Sequence, residues 1–253
     1  MSSWDWQVYC RDTVSGEQVA GCFAAAPDQT YLQWMLHAWG WTITVSLGGL
    51  AVALVVGSII GVLRTLPNSP GWVRFGNAWV EFFRNIPLLV QIFIWYYVVP
   101  DLVPGADSVS PTLLVIAGLG LFTSARVAEQ LRSGIQTLPK GQRYAGMALG
   151  FTTAQYYRYV LLPMAYRIIL PPLTSESMNI FKNSAVAFAV SIPELTQFYL
   201  QAGEETGAQS EIFLGVLAVY ILSAMLVNRV MSFIERRLRV PGMVAPTAGA
   251  GGH

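Results

Sequence analysis

Polar side chains recur at helical spacing within an otherwise apolar part of the chain. They occupy positions i, i+3, i+6 and i+7, with a serine directly after them: Glu176, Asn179, Lys182, Asn183 and Ser184. Residues at this spacing share one face of a helix. That face would offer a carboxylate, an ammonium group and amides, which can bind a charged ligand with several hydrogen-bonding atoms. We predict a binding role for it, against the alternative that the charges only reach the membrane surface or pair with neighbours.

Other charged residues stand near the ends of apolar segments, where a structural explanation competes with a binding role. A charge at the centre of a bilayer costs about 2.5–3.5 kcal/mol on insertion scales, so such charges tend to be paired. Glu81 and Arg84 are spaced i, i+3, as are Arg126 and Glu129, which favours an ion pair in each case. Arg84 is also a second candidate for the binding role.

The residue types that enzymatic chemistry needs are scarce. The histidines are His37 and His253, and the sequence has no HExxH motif, paired catalytic carboxylates or nucleophile elbow. Neither lysine, Lys140 or Lys182, stands in a GxxxxGK[ST] phosphate-binding loop. We therefore predict that the chain is not an enzyme, and that it holds no metal or cofactor.

Two cysteines, Cys10 and Cys22, lie in the polar N-terminal segment and outside any CxxC motif. If this segment is exported, the pair can form a disulfide, and the sequence leaves both the disulfide and two free thiols open. The start of the chain lacks a basic region followed by an apolar core, so we predict no cleavable signal peptide.

The composition is that of a helical membrane protein that crosses the bilayer several times. Of the 253 residues, 54% are hydrophobic and 11% are charged, where a soluble domain carries about 25% charged residues. The mean hydropathy is +0.48. The net charge of +1 gives no reason to expect nucleic acid as a partner.

Five apolar stretches are long enough for spanning helices, which need about 20 residues each. Pro171 and Pro172 are expected to interrupt the fourth stretch, and residues 185–192 to form a broken or re-entrant piece. The stretches are 41–63, 77–99, one that begins at Pro111, one that begins near Met164, and 212–233.

The charges predict an orientation. With the N-terminus outside, twelve arginines and lysines fall in the inside segments and only Arg11 falls outside, which is a strong positive-inside bias. The prediction is a periplasmic segment over 1–39, a transmembrane domain over 40–240 and a flexible cytoplasmic tail over 241–253. A cytoplasmic loop would then cover about 132–163.

That loop contains RYAGMALGFTTAQYYRYVLLP at 143–163, which is patterned as two short helices. Residues 140–149 favour a helix that Gly150 ends with a positive φ. Thr152 or Thr153 can begin a second helix, which we expect to run through Val160 and to end at Pro163. The exposed face of the two helices together is predicted to carry Arg143, Tyr144, Tyr156, Tyr157 and Arg158.

The spacing of this stretch resembles the EAA loop of bacterial ATP-binding-cassette importer permeases. The loop pattern is Glu-Ala-Ala, three residues, Gly, nine residues, then Ile-x-Leu-Pro. The matching positions here are Tyr144, Ala145, Gly146, Gly150, Val160, Leu162 and Pro163. Tyr144 replaces the usual glutamate and Gly146 the second alanine, so a salt bridge from that glutamate would be missing.

The resemblance extends over about residues 40–242. FRNIPLLVQ at 83–91 resembles the FRNTPLLVQ signature of polar amino acid permeases, and the stretches 124–142, 157–185 and 235–242 are also similar. The likeness is greatest to the permease subunits of glutamate/aspartate importers.

The family likeness implies a division of labour among several proteins in a bacterial inner membrane. A periplasmic binding protein would deliver the amino acid, and two permease subunits in the lipid bilayer, favoured as a heterodimer, would form the pathway. A cytoplasmic ATPase dimer would bind ATP and Mg and attach to the coupling loop. The expected coupling residues are Gly141, Arg143, Tyr144, Ala145, Gly146, Gly150, Tyr157, Arg158, Leu162 and Pro163. An acidic amino acid would meet the pathway residues Arg84, Glu176, Asn179, Lys182, Asn183 and Ser184.

The main alternative is a self-sufficient ion-coupled transporter or channel. Five spans would make a small independent carrier, and no inverted repeat is visible by eye. An ordered basic loop would also have no task without a cytoplasmic partner. The sequence therefore favours the permease subunit.

Overall fold

A computed structural model describes residues 4–238 of the chain except 24, 25 and 27, and leaves out the side chains of Lys140 and Arg143. The predicted tail over 241–253 lies outside the described residues. Within them the fold is helical, without strands apart from two isolated bridges. The α-helices are α1 Tyr31–Leu63, α2 Pro70–Asn85, α3 Leu88–Phe93, α4 Val99–Leu102, α5 Pro111–Thr137, α6 Lys140–Ala148, α7 Thr153–Tyr156, α8 Leu162–Asn183, α9 Leu195–Thr206 and α10 Gln209–Leu238.

Three of the described helices, α1, α5 and α10, are long and apolar enough to cross a membrane. A fourth span results if the bent pair Pro70–Asn85 and Leu88–Leu102 counts as one. The fourth predicted stretch corresponds to α8, which is not among these candidate spans. Its charged residues Glu176 and Lys182 lower its hydropathy. A total of five spans and the placing of the termini therefore stay predictions.

The second predicted span, 77–99, is not a straight helix. The chain bends by 103° between α2 and α3, and Pro87 at the bend has a ψ of 139°. Proline lacks an N–H and disfavours a helical conformation in the residue before it, so Ile86-Pro87 separates the two helices. A π-helical turn, Ile94–Val98, then joins α3 to α4.

The described residues form two compact units. The first unit takes its residues from Met1–Val52, Ile86–Gly120 and Asn179–Leu226. The second takes them from Ala53–Asn85, Leu121–Met178 and Val227–His253.

In the first unit, the N-terminal segment packs against α1, α9 and α10. Its Val8 is fully buried in a core with Tyr31, Phe198 and Ile212. A disulfide joins Cys10 to Cys22. The Tyr9 hydroxyl donates a hydrogen bond to the Glu211 carbonyl at 2.8 Å, and Gly215 leaves room for its ring because any Cβ there would overlap it. The segment is thus fixed to the helices beneath it.

The core of the second unit joins α1 and α5 to the loop helices and α8. It contains Val127, Leu131, Tyr157 and Ile169 among its buried side chains. A Cβ on Gly57 would lie 2.6 Å from the Cβ of Val127, so this glycine allows a close approach of two helices. The second unit also holds every side chain of the cavity described below.

Proline does not end helices where the sequence suggested it would. A π-helical turn, Tyr157–Leu161, links α7 to α8, and α8 continues through Pro163, Pro171 and Pro172. The π turn widens the helix just before Pro163, where the proline ring would otherwise meet the carbonyl of the preceding turn. The predicted break lies later, where α8 ends at Asn183 and a 3-10 helix, Ser184–Val190, follows.

Candidate functional site

A charged cavity of about 460 Å³ opens in the second unit, lined by α2, α5 and α8. Its lining combines two arginines, two glutamates, an amide and one aromatic ring: Arg84, Phe122, Arg126, Glu129, Gln130 and Glu176. The residues from α5 stand at positions i, i+4, i+7 and i+8, so one helix face supplies most of the polar lining. Such a cavity can bind a small molecule that carries both positive and negative charges.

Glu176 is the most buried charged residue that lines the cavity, and it pairs with Arg126. Glu176 is 9% exposed, and its Oε2 lies 3.6 Å from a guanidinium nitrogen of Arg126. That oxygen is buried and has no hydrogen-bond partner in the described part of the chain. The Arg126 guanidinium also stands 5.2 Å from the centre of the Phe122 ring. The carboxylate oxygen therefore retains hydrogen-bonding capacity toward a ligand.

Arg84 supplies the second cation of the cavity. Its side chain is exposed, and no ion pair joins it to Glu81 or to another acid among the residues that the structure describes. The predicted Glu81–Arg84 pair is therefore wrong. The bend at Pro87 follows directly, and α2 ends one residue after Arg84, so this guanidinium stands at a helix terminus.

The predicted pair between Arg126 and Glu129 is also wrong. Glu129 instead accepts hydrogen bonds from Arg64 at 2.6 Å and from Arg132 at 3.1 Å. Arg126 turns to Glu176 because α8 brings a buried carboxylate to that side of α5. Sequence spacing could not show two of these partners, since Arg64 follows the end of α1 and Glu176 lies on α8. Arg132 is an i+3 neighbour of Glu129 on α5, so spacing allows that pair.

Only part of the predicted binding set lines the cavity. Arg84 and Glu176 line it together, whereas Arg126 and Gln130 had not been predicted as ligands. The other candidates belong to the first unit and are not among the lining residues: Asn179, Lys182, Asn183 and Ser184. Lys182 is exposed, and the buried Ser184 hydroxyl donates to the Phe181 carbonyl at 2.8 Å. The spacing of Phe122, Arg126 and Gln130 on α5 was the signal that could have found the missed residues.

The helix–turn–helix between α5 and α8 has a defined geometry. Residues 132–137 still belong to α5, and α6 then runs from Lys140 to Ala148. Gly150 has a φ of +80°, its N–H donates to the Met147 carbonyl, and the N–H of Phe151 donates to the Gly146 carbonyl, each at 3.0 Å. This pair of hydrogen bonds is a Schellman motif, which satisfies the last carbonyls of the helix.

A capping box begins the second helix. The Thr152 hydroxyl accepts from the Gln155 N–H at 3.3 Å, and the Gln155 side chain accepts from the Thr152 N–H at 2.8 Å. Gly146 faces Tyr156, and a Cβ on it would lie 3.1 Å from the ring, so a glycine suits the close approach of the two helices. Thr152, rather than Thr153, is therefore the cap.

The exposed surface that the structure describes for the loop is largely apolar. Tyr144 is 67% exposed, and Met147 and Leu149 are exposed beside it. Tyr156 and Tyr157, predicted as exposed, are buried in the core of the second unit. From 130 to 175 the sequence has five basic residues and no acidic one. The remaining predicted coupling residues have these positions: Gly141, Arg143 and Ala145 in α6, Arg158 exposed in the π turn, and Leu162 and Pro163 at the start of α8.

Long apolar helices together with a charged cavity are typical of membrane transport proteins. The chain belongs to the family of binding-protein-dependent transport system inner membrane components, whose model matches residues 53–240.

Individual relatives agree with this membership. The glutamate/aspartate import permease protein GltJ of Escherichia coli (strain K12) is 39% identical, over 94% of this chain and 96% of the relative. The probable glutamine ABC transporter permease protein GlnM of Bacillus subtilis (strain 168) is 31% identical, over 78% and 89%. A crystal structure of an amino acid ABC transporter with histidines matches with a TM-score of 0.71 and 26% identity, over 82% of this chain and 95% of that one.

Proposed function

We propose that this chain is the membrane-spanning permease subunit of an ATP-driven importer of amino acids, with acidic amino acids such as glutamate and aspartate as its substrates. The observation that carries the substrate class is the meeting of two arginines, Arg84 and Arg126, with the buried Glu176 in one cavity. The similarity to a glutamate/aspartate import permease supports the same class.

The cavity matches the charges of an acidic amino acid. Such a molecule carries an ammonium group and two carboxylates. Glu176 can accept from the ammonium group through Oε2, which has no hydrogen-bond donor among the described residues, and Arg126 can hold the adjacent α-carboxylate in a two-point contact. Arg84, which has no acidic partner among the residues that the structure describes, is then available for the side-chain carboxylate. Glutamine presents an amide there, so Arg84 is the residue that would separate the two substrates.

The polar face farther along α8 stays part of the proposal. Asn179, Lys182 and Asn183 follow Glu176 at helical spacing, and Lys182 is exposed. They would offer a further cation and amides along the pathway.

The loop over 140–161 is proposed as the attachment site of a cytoplasmic ATPase dimer that holds ATP and Mg. Exposed Tyr144, Met147 and Leu149 offer apolar contact area, and the basic residues around them favour an acidic rim on the partner. A chain that carries no phosphate-binding loop needs ATP hydrolysis on another protein.

Other partners complete the proposed importer. A second permease, favoured as a related but different chain, would form the other half of the pathway, and a periplasmic binding protein would deliver the substrate. The N-terminus would lie in the periplasm and the C-terminus in the cytoplasm. Exposed apolar residues on α10, such as Leu222, Met225 and Leu226, suit contact with lipid or with the second permease.

Substrate preference tests the role of Arg84 directly. In the assembled importer in lipid vesicles, Arg84→Gln should raise the KM for glutamate about tenfold or more, because a hydrogen-bonded charge pair contributes about 1.5–3 kcal/mol. The KM for glutamine should change little. Initial uptake rates of the two labelled amino acids, measured at a saturating concentration of binding protein, give both values.

Arg74→Gln is the matched control, because Arg74 is an exposed arginine on the same helix, α2, outside the cavity. It should leave both values unchanged. An equal rise of the two KM values in Arg84→Gln, or none, would exclude this residue from the recognition of the side-chain carboxylate.

A further inference from the structure

A buried tyrosine of the loop is bonded to the end of the first spanning helix. Tyr157 lies in the core of the second unit, and its hydroxyl donates to the Thr65 carbonyl at 2.6 Å. Thr65 in turn continues the last turn of α1, because its N–H donates to the Val62 carbonyl at 2.9 Å. The loop and the end of α1 are therefore joined by a direct hydrogen bond.

Arg64, which precedes Thr65 in the sequence, links the end of α1 to the cavity. Arg64 is buried, with 7% of its side chain exposed, and its guanidinium donates to Glu129 at 2.6 Å and to Asn77 at 2.8 Å. Glu129 is one of the residues that line the cavity. Every residue in this series belongs to the second unit.

Close packing fixes the position of the Arg64 side chain. A Cβ on Gly76 would lie 2.5 Å from Cγ of Arg64, so the aliphatic part of this side chain passes where only a glycine leaves space. The Arg64 side chain is thus held on both sides, by Gly76 along its stem and by Asn77 and Glu129 at its head. If the C-terminal end of α1 shifts, the closely packed guanidinium must move with it.

We propose that Tyr157 is a positioning residue that links movement of the loop to the charge of the cavity, through Thr65, Arg64 and Glu129. The proposal rests on the proposed function, since it assigns the step by which an attached ATPase changes the affinity of the permease for an acidic substrate.

The direction of the effect follows from the charges. With Arg64 in place, the negative charge of Glu129 is offset by a buried cation, and Arg84 and Arg126 favour an anionic ligand. When the loop pulls the end of α1 and withdraws Arg64, only the more exposed Arg132 remains on Glu129. The cavity then becomes more negative, and an acidic amino acid is released.

Uptake per ATP hydrolysed is the measurement that this role predicts to change. Tyr157→Phe removes one hydroxyl and keeps the ring in the core. With permease, ATPase and binding protein together in vesicles, the ratio should fall by about fivefold or more, the usual range for coupling between two sites.

Tyr166→Phe is the matched control. The Tyr166 hydroxyl also bonds to a residue of α1, Ser58, but this contact is not part of the series through Thr65. The ratio should stay at the value of the unmodified chain. An equal fall in both variants would show a general need for tyrosine hydroxyls between helices and would overturn the proposal.

A double variant tests whether the residues act in series. If Tyr157 acts through Glu129, then Tyr157→Phe combined with Glu129→Gln should lower the ratio no further than the more severe single variant. Reductions that multiply would contradict the series. Failure of the proposed function would look different, because the unmodified chain would then show no ATP-dependent uptake.

Discussion

At the scale of single residues, Gly150 is the position where the backbone itself restricts the choice of side chain. Its φ is +80°, and no atom lies within 4 Å of where a Cβ would be, so space is not the constraint. A left-handed backbone costs an ordinary residue about 1–2 kcal/mol, and β-branched residues adopt it least readily.

We predict that Gly150→Val disturbs the turn while Gly150→Asn keeps it, because asparagine tolerates a positive φ. The valine variant should still insert but should bind the ATPase more weakly and show less ATP-dependent uptake. Co-purification of the ATPase and uptake in vesicles measure both effects. Normal transport by the valine variant would show that the turn is not needed for coupling.

Tyr144 stands where the EAA pattern has a glutamate. The residue is exposed, and α6 and α7 contain no acidic residue. An aromatic side chain beside Met147 and Leu149 instead extends an apolar contact surface.

Turns and helix caps could be predicted from the sequence, whereas an ion pair between distant helices could not. Gly150 and the threonine cap could be read from a few neighbouring letters, since turn and cap geometry depends on adjacent residues. Arg126 could not be assigned from its i+3 neighbour Glu129, because its partner Glu176 arrives from α8.

At the scale of elements, α9 depends on a buried carboxylate at its start. Glu194 is fully buried, and it accepts hydrogen bonds from the N–H groups of Thr196 and Gln197 at 2.9 and 3.0 Å. The Tyr220 hydroxyl donates to it at 2.9 Å. One side chain thus caps α9 and ties it to α10.

Removal of this cap should destabilise the first unit. Glu194→Ala leaves two N–H groups and a hydroxyl without their acceptor, and the loss of a cap alone costs about 0.5–2 kcal/mol. Glu194→Gln keeps an acceptor oxygen and should cost less. Thermal unfolding in detergent at neutral pH ranks the two variants, and an unchanged melting temperature for the alanine variant would contradict this role.

Burial raises the pKa of Glu194, and the sign of the pH effect follows from that. The folded state holds the proton more tightly than the unfolded state, so the contribution of this group to stability is full below its unfolded pKa. This contribution to stability decreases as the pH rises through the raised pKa of the folded state. The glutamine variant should lack this part of the pH dependence, which the same unfolding measurement would detect.

The lengths and breaks of helices were predicted less well than their existence. Proline was expected to end helices at 163 and 171–172, yet α8 continues through all three prolines. No bend was predicted at Pro87, yet the chain bends there by 103°. A proline removes one hydrogen bond in each case, and the packing of the surrounding helices decides whether the helix bends.

At the scale of the whole molecule, the sequence predicted the class well and the cavity poorly. Hydropathy and charge are sums over many residues, so they indicated a helical membrane protein with an inside and an outside. The cavity instead requires α2, α5 and α8, which are distant in the chain, to place four charges within one space. Periodicity within a single helix does not contain that information.

The division of labour is the central claim at this scale. The chain belongs to a family of inner membrane components of binding-protein-dependent transport systems, and the proposal adds an ATPase that acts through the loop. An ion-coupled carrier would need neither an attachment loop nor a binding protein.

Uptake of labelled glutamate into vesicles tests this claim most directly. The vesicles contain the permease with its partner permease, and ATPase and binding protein are added or left out in turn. We predict uptake only when ATP, the ATPase and the binding protein are all present, whatever the ion gradient. Uptake that an ion gradient drives in the absence of the ATPase would contradict the account.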